Sequence, residues 1–233
     1  MSAPLERPYT ILSCAMSVDG YIDDATDHRL RLSSDADFDR VDEIRAGCDA
    51  ILVGAETIRR DNPRLLLRST ERRDRRTEEG KPGDLTKVTL TTSGDVDPNA
   101  EFFTTGDSPK LVYAASPAFF DTGARLAGND DVTVIDAGDP LDLGFVVADL
   151  ARRGLYRLIV EGGGKVHTGF LTAGLVDELR LAVAPFFVGD ADAPRFVHPG
   201  FFPHTAITPM TLVGSEDLDG VIALHYLLSG ASR

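Results

Sequence analysis

The sequence predicts an α/β fold: a mostly parallel central sheet with helices on both faces and an antiparallel hairpin at the C-terminal end. Three observations predict it. Apolar runs of strand length alternate with amphipathic stretches along the chain. From Lys110 to Glu161 the alternation reads βαβαβ, an order that implies parallel strands covered by crossover helices. In the last third, two short apolar runs flank a polar turn, the pattern of an antiparallel pair.

The elements follow in order. Tyr9–Ala15 is a buried strand, and Asp35–Ala46 a helix in which Phe38, Val41, Ile44 and Arg45 fall near helical spacing. Ser33 or Ser34 can cap it. Ala50–Gly54 is a second short buried strand. Ala55–Arg60 makes one or two helical turns and stops at Asn62-Pro63, because a residue before proline avoids the α region. Ser69–Leu85 is polar and charged and is expected to be a mobile loop, about 69–86. Lys87–Thr92 and Lys110–Ala115 are strands, and Pro117–Leu126 is a helix with proline near its first position. Val132–Ile135 is a strand, Leu141–Arg153 a helix and Leu155–Glu161 a strand. Glu178–Pro185 and Phe186–Val188 are strand-like, and a Pro- and Gly-rich stretch runs from Asp190 to Pro209. Thr211–Val213 and Val221–Leu228 form the hairpin around Ser215–Gly220. There is no internal repeat and no clear linker, so one domain over 1–233 is the simplest expectation.

Composition excludes several classes. With 233 residues, 42% hydrophobic and 7% aromatic, the chain can bury an ordinary core. A net charge of −13 argues against nucleic acid as a partner, which needs a broad basic surface. The one basic run, Arg68 to Arg76, reads as solvated. No apolar run approaches a membrane span, and MSAPLERPYT has no signal-peptide pattern, so a cytoplasmic location is expected. Cys14 and Cys48 lie in apolar runs without C-x-x-C spacing and read as core residues, with no metal site expected.

Two constellations carry chemistry. The first is VEGGGKVHTGFLTAGLVDELRL, Val160 to Leu181: a strand ending in Glu161, three glycines, then a short helix. Glycines there let backbone N–H groups approach a phosphate, and the helix N-terminus adds positive partial charge. A plain tight turn at Gly162, Gly163 and Gly164 is the equally simple alternative. It is not the usual dinucleotide fingerprint, because His167 stands where a third glycine belongs. The second constellation follows the first strand. Asp19-Gly20 sits at a strand end, and Thr57 at the strand-to-helix junction after Gly54. Arg45 and Arg68 can clamp a phosphate or form mere surface ion pairs.

Taken together, AMSVDG, IRAGCDAILVGAETIRRDNPRL and VEGGGKVHTGFLTAGLVDEL, in this order, resemble the reductase domain of riboflavin biosynthesis. The resemblance runs from about Tyr9 to Leu228. It implies a dihydrofolate-reductase-like fold, NADPH as hydride donor and a homodimer. It implies a substrate that is a pyrimidine carrying a ribosylamino 5′-phosphate, reduced to the ribitylamino form. By position, Thr57, Asp61 and Ser93 match cofactor contacts. Gly163, Gly164, Lys165, Val166, His167, Thr168 and Gly169 match the loop and helix start that take the pyrophosphate. Cys14 falls where the first strand passes the nicotinamide. Arg45, Leu65, Arg68 and Glu161 match substrate contacts. Two departures concern the substrate: arginines in Asp27-His28-Arg29-Leu30-Arg31-Leu32-Ser33, where the family often has serine, and Lys165 and His167 in place of Thr-Leu.

The cofactor carries the hydride, and the protein supplies position and electrostatics. A carboxylate near a protonated imine would stabilise it, with Glu161 the first candidate and Asp19 the second. A dihydrofolate or pteridine reductase is the alternative, since Asp35, Asp37 and Asp39 lie on the first helix; the chain has no tryptophan to accompany such an acid. A non-catalytic nucleotide-binding protein on the same fold is the other.

Overall fold

A computed structural model describes residues 7–26 and 28–228; Asp27, the first residue of the arginine-bearing departure, lies outside the described residues. The chain divides into two compact units. Among the described residues, one holds 7–9 with 42–159, and the other 10–26 and 28–41 with 160–228.

In the first unit four strands lie in the order β5-β4-β3-β2: β2 (Ala50–Gly54), β3 (Thr86–Thr91), β4 (Lys110–Ala114) and β5 (Val132–Asp136). All are parallel; Leu52 pairs with Val88, Val88 with Leu111, and Leu111 with Thr133. Every residue of β2 and β4 is buried, which is what a parallel strand covered on both faces requires. Helices α2 (Ala55–Asp61), α5 (Phe119–Leu126) and α6 (Leu143–Arg152) follow strands or lead into them. Asp142 caps α6 by accepting from the Gly144 and Phe145 N–H groups, and Val146, Val147, Leu150 and Ala151 form its buried stripe.

In the second unit the order is β6-β1-β7-β9-β8, where the unit holds the Val160–Gly162 part of β6 (Arg157–Gly162). β1 (Tyr9–Ser17) and β7 (Glu178–Ala184) are parallel. β9 (Val221–Leu227) runs antiparallel to β7 and to β8 (Thr211–Leu218). The hairpin turn is tighter than the sequence predicts: Asp219 and Gly220, at φ 56° and 87°, complete it alone, as an Asp-Gly pair does in a two-residue hairpin. Helix α1 (Asp35–Ala46) begins where Ser34 accepts from the Asp37 N–H at 3.0 Å, so Ser34 is the cap. Helix α7 (Gly164–Thr172) follows β6.

Three expectations change. The stretch read as a loop from Ser69 contains a helix, α3 (Thr70–Glu78), capped by the Ser69 hydroxyl. Its arginines are not simply solvated. Arg72 and Arg75 pair with Glu43, and Arg76, only 2% exposed, donates to the carbonyls of Ala46, Cys48 and Pro82. All of those partners but Pro82 lie about thirty residues back, so local polarity gave no sign of them. A second helix, α4 (Glu101–Thr104), packs Phe102 and Phe103 inward although it is one turn long. Phe186–Val188 is not a strand. The Val18 N–H takes the Phe186 carbonyl, and Val188 and Gly189 donate to Asp19, which removes those groups from any ladder.

Candidate active site

The second unit gathers one group of predicted residues at the C-terminal ends of β1 and β6. Glu161 is half-buried near the end of β6, and Gly162, at φ 148°, needs the freedom only glycine has. The Gly162–Gly163 peptide is cis. Gly163 is the N-cap of α7; no side chain caps this helix and no acid stands in its first turn. A helix start of that kind suits an anion. Gly164 is required by packing: a Cβ there would lie 2.2 Å from the Arg195 carbonyl oxygen.

Arg195 belongs to a strap, the Pro- and Gly-rich stretch, that returns to β1 and α7. Tyr21 and Arg195 form a β-bridge, and Arg195 donates to the Tyr21 hydroxyl at 2.6 Å. The Phe196 N–H donates to Gly20, and the His198 N–H to the Thr168 hydroxyl at 2.8 Å. Nothing in the sequence pointed to this strap, because its partners are 29 residues away or more.

The strap corrects part of the predicted cofactor loop. His167 is fully buried, its N–H bonds to the Gly163 carbonyl, and its Nδ1 lies 3.1 Å from the Phe196 carbonyl. Nδ1 therefore donates, and Nε2, which has no hydrogen-bond partner among the described residues, is the unprotonated nitrogen. Thr168 likewise spends its hydroxyl on Gly164 and His198. These two side chains are structural, because the strap covers them. Gly163, Gly164, the exposed Lys165 and the half-buried Val166 remain at the helix start, while Gly169 accepts the helix-ending Ala173 N–H.

Burial pushes the His167 pKa down to about 4, against an opposing hydrogen bond to Phe196. Between about 4 and the ordinary 6.5 the unfolded chain binds more protons than the folded one, so stability falls as pH drops through that window. The full effect is roughly 3 kcal/mol. Urea midpoints at pH 4.5 and 7 should therefore differ more in the wild type than in His167→Gln; equal differences would count against a buried neutral histidine.

Cys14 is largely buried on β1, and its thiol donates to the Ala15 carbonyl. Burial, and then the charge of Glu161, push its pKa well above the usual thiol range. Cys14 and Glu161 are therefore electrostatic neighbours, and Cys14 stays a neutral thiol. Asp19 is placed otherwise than the sequence suggests. Its carboxylate accepts from Ser17 Oγ at 2.6 Å, Val188 N at 3.1 Å and Gly189 N at 2.8 Å. Desolvation raises its pKa, but these hydrogen bonds outweigh it and hold the pKa below the carboxylate range. Its oxygens are committed to the turn after β7, so Asp19 organises the loop.

The first unit gathers the other group. Thr57 and Asp61 lie on α2, which follows β2, and Ser93 is exposed just past the end of β3. Arg59 of α2 donates to the Asp95 carbonyl at 2.5 Å and pairs with its carboxylate at 3.5 Å, which ties α2 to the Ser93 turn. Arg45 lies in the last turn of α1, and the Arg68 and Ser69 N–H groups donate to Asp42, one helical turn before Arg45, at 2.7 and 3.1 Å. The two arginines are thus brought to one region. Leu65 is buried at φ 52°, a conformation unusual for leucine. The acids considered for a pterin site are differently engaged. Asp37 is buried against Arg40 at 2.7 Å, whereas Asp35 is exposed and paired with Arg31. Among the described residues no group of three or more His, Cys, Asp or Glu side chains could hold a metal, and no helix is long and apolar enough to cross a membrane.

Residues 8–224 match the family model of the RibD C-terminal domain. The chain is 32% identical over 188 residues to the 2,5-diamino-6-ribosylamino-4(3H)-pyrimidinone 5′-phosphate reductase of Archaeoglobus fulgidus, covering 81% of this chain and 85% of the relative. Among solved structures it is similar to a pyrimidine reductase-like protein from Corynebacterium diphtheriae, with TM-score 0.81, 25% identity and coverage of 94% and 91% of the two chains. A dihydrofolate reductase from Enterococcus faecalis, at TM-score 0.52 and 12% identity over 95% of this chain and 96% of that one, shares the fold alone.

Proposed function

The chain belongs to the RibD C-terminal domain family of riboflavin biosynthesis reductases, and from that premise we propose that it is an NADPH-dependent reductase of a pyrimidine carrying a ribosylamino 5′-phosphate. The observation that carries this is its 32% identity, over most of both chains, to a protein named for that reaction. The product is the ribitylamino form. The diamino-pyrimidinone of the relative's name is the first substrate to test, and the uracil analogue the second.

The residues at the end of β6 fit the dinucleotide. A glycine bend leads into an uncapped helix start with no acid in its first turn, where a diphosphate would meet N–H groups. Gly163 to Val166 would hold it there; Thr57, Asp61 and Ser93 are proposed as cofactor residues by their positions in the family's motifs alone. When bound, the reduced nicotinamide supplies the hydride that adds to the sugar C1′ of the open-chain imine. Arg45 and Arg68 hold the substrate phosphate, and Leu65 gives an apolar wall. Glu161 stabilises the protonated imine through space, and water supplies the proton that ends on nitrogen. Cys14 contributes a neutral wall, because its thiol is held protonated.

The test follows NADPH consumption with both pyrimidine phosphates and with dihydrofolate. Glu161→Gln should lower kcat by about 10²-fold, the scale of losing one electrostatic stabiliser. An unchanged kcat removes Glu161 from the chemistry, and turnover of dihydrofolate alone replaces the substrate.

The homodimer belongs to the same proposal. β8 is exposed along all but its last residue, with Leu212 and Val213 about half exposed, and this strand supports an interface. Light scattering should give twice the 25.1 kDa chain mass; a monomer at micromolar concentration would rule it out.

A further inference from the structure

The loop from Asn62 to Ser69 is held in an unfavourable shape. Asn62 at φ 42° and Leu65 at φ 52° are both left-handed, and such backbone persists only where its surroundings over-determine it. Its C-terminal half hangs from two carboxylates: Leu67 N donates to Asp84 at 2.9 Å, and Arg68 N and Ser69 N to Asp42. Its N-terminal half rests on α4. Asn62 Oδ1 accepts the Glu101 N–H at 2.7 Å, and Arg64 pairs with Glu101 at 2.8 Å. Gly106 stands so close that a Cβ there would meet Leu66 Cδ2 at 2.7 Å.

A helix of four residues does not hold itself. Two buried ammonium groups hold this one. Lys87 Nζ donates to the carbonyls of Phe102 at 3.1 Å and Thr105 at 2.6 Å. Lys110 Nζ donates to Gly106 at 2.8 Å and pairs with Asp131. Both side chains are buried, at 0% and 1% exposure, a costly place for two like charges if stability were the only demand.

We propose that Lys87 is a positioning residue: through α4 it fixes the Asn62–Ser69 loop and so sets Leu65 and Arg68 for the substrate. The substrate half rests on the function proposed above; the relay from Lys87 to the loop does not. The charged groups that face Lys87 are Lys110, Asp84 and Asp131. Burial, and then the like charge of Lys110, lower its pKa to about 8. A neutral amine donates more weakly than an ammonium, so the clasp loosens as pH rises past that value.

The experiment compares wild type, Lys87→Met and Asn62→Gly. The second variant cuts the far end of the relay at an exposed position and keeps the left-handed backbone. Both should raise KM for the pyrimidine phosphate about tenfold with kcat within about twofold. Both should speed hydrogen exchange at the Leu67, Arg68 and Ser69 amides while leaving α6 protected. Wild-type KM should climb above pH 8, and Lys87→Met should lack that rise. Unchanged exchange at those amides overturns the proposal, as does exchange that rises equally in α6, the mark of plain destabilisation. If Lys87→Met does not fold, Asn62→Gly and the wild-type pH profile decide. If wild type turns over no pyrimidine phosphate, the functional reading fails, and the exchange measurements alone settle the relay.

Discussion

Gly164→Ala should destabilise the protein by about 3 kcal/mol and abolish dinucleotide binding, because its Cβ would stand 2.2 Å from the Arg195 carbonyl oxygen. That atom is backbone, and no side-chain rotamer relieves the overlap. The strap segment is also fixed by the Tyr21–Arg195 bridge and by the Phe196 N–H bond to Gly20, so it has little room to retreat. The remaining escape is to shift the first turn of α7, the part proposed to meet the diphosphate. Gly123→Ala is the control. Gly123 lies in α5, and nothing stands within 4 Å of a Cβ there, so that change should be neutral or stabilising by up to about 1 kcal/mol. Urea unfolding and dinucleotide titration of both variants measure this. A Gly164→Ala protein as stable as Gly123→Ala would mean that the strap is not packed as described.

Asp42→Ala should cost about 3–5 kcal/mol, the range for removing one partner of a buried ion pair. Its side chain is 1% exposed and accepts from Arg68 N, Ser69 N and Arg72 Nη1, the last at 3.0 Å. Removal leaves two part-buried N–H groups and a mostly buried guanidinium without that acceptor, and it frees the loop that carries Leu65 and Arg68. Asp42→Asn keeps one acceptor oxygen and should cost less. Asp35→Ala is the comparison. The Asp35–Arg31 pair is short, at 2.6 Å, but its side chains are 93% and 60% exposed, so its removal should cost less than about 1 kcal/mol. Equal unfolding midpoints for Asp42→Ala and Asp35→Ala would show that burial does not set the scale here.

Much of the fold was legible in the chain because its signals are local. The five apolar residues of Ala50–Gly54, the Ser34 cap and the Asn62-Pro63 stop each act within a few residues, and each is found where periodicity or turn chemistry placed it. The loop before Lys87 was misjudged for the opposite reason. RSTERRDRR is polar enough to pass for solvated chain, yet its helix is held by Asp42, Glu43, Ala46 and Cys48, about thirty residues back. The site shows the same division. Glu161 and the glycines stood out as a motif, whereas the engagement of Asp19 by Val188 and Gly189 spans some 170 residues and leaves no trace in composition.

By itself, then, the sequence determined the main strands, the helices other than α3 and α4, the family and the glycine bend after β6, since these depend on spacing along one chain. Only the tertiary structure decided that His167 turns inward as a neutral core residue, that Asp19 serves a turn, and that two buried lysines hold α4 beneath the Leu65 loop. Those outcomes depend on which distant carbonyl or amide each polar group meets once water is excluded, and burial makes that choice.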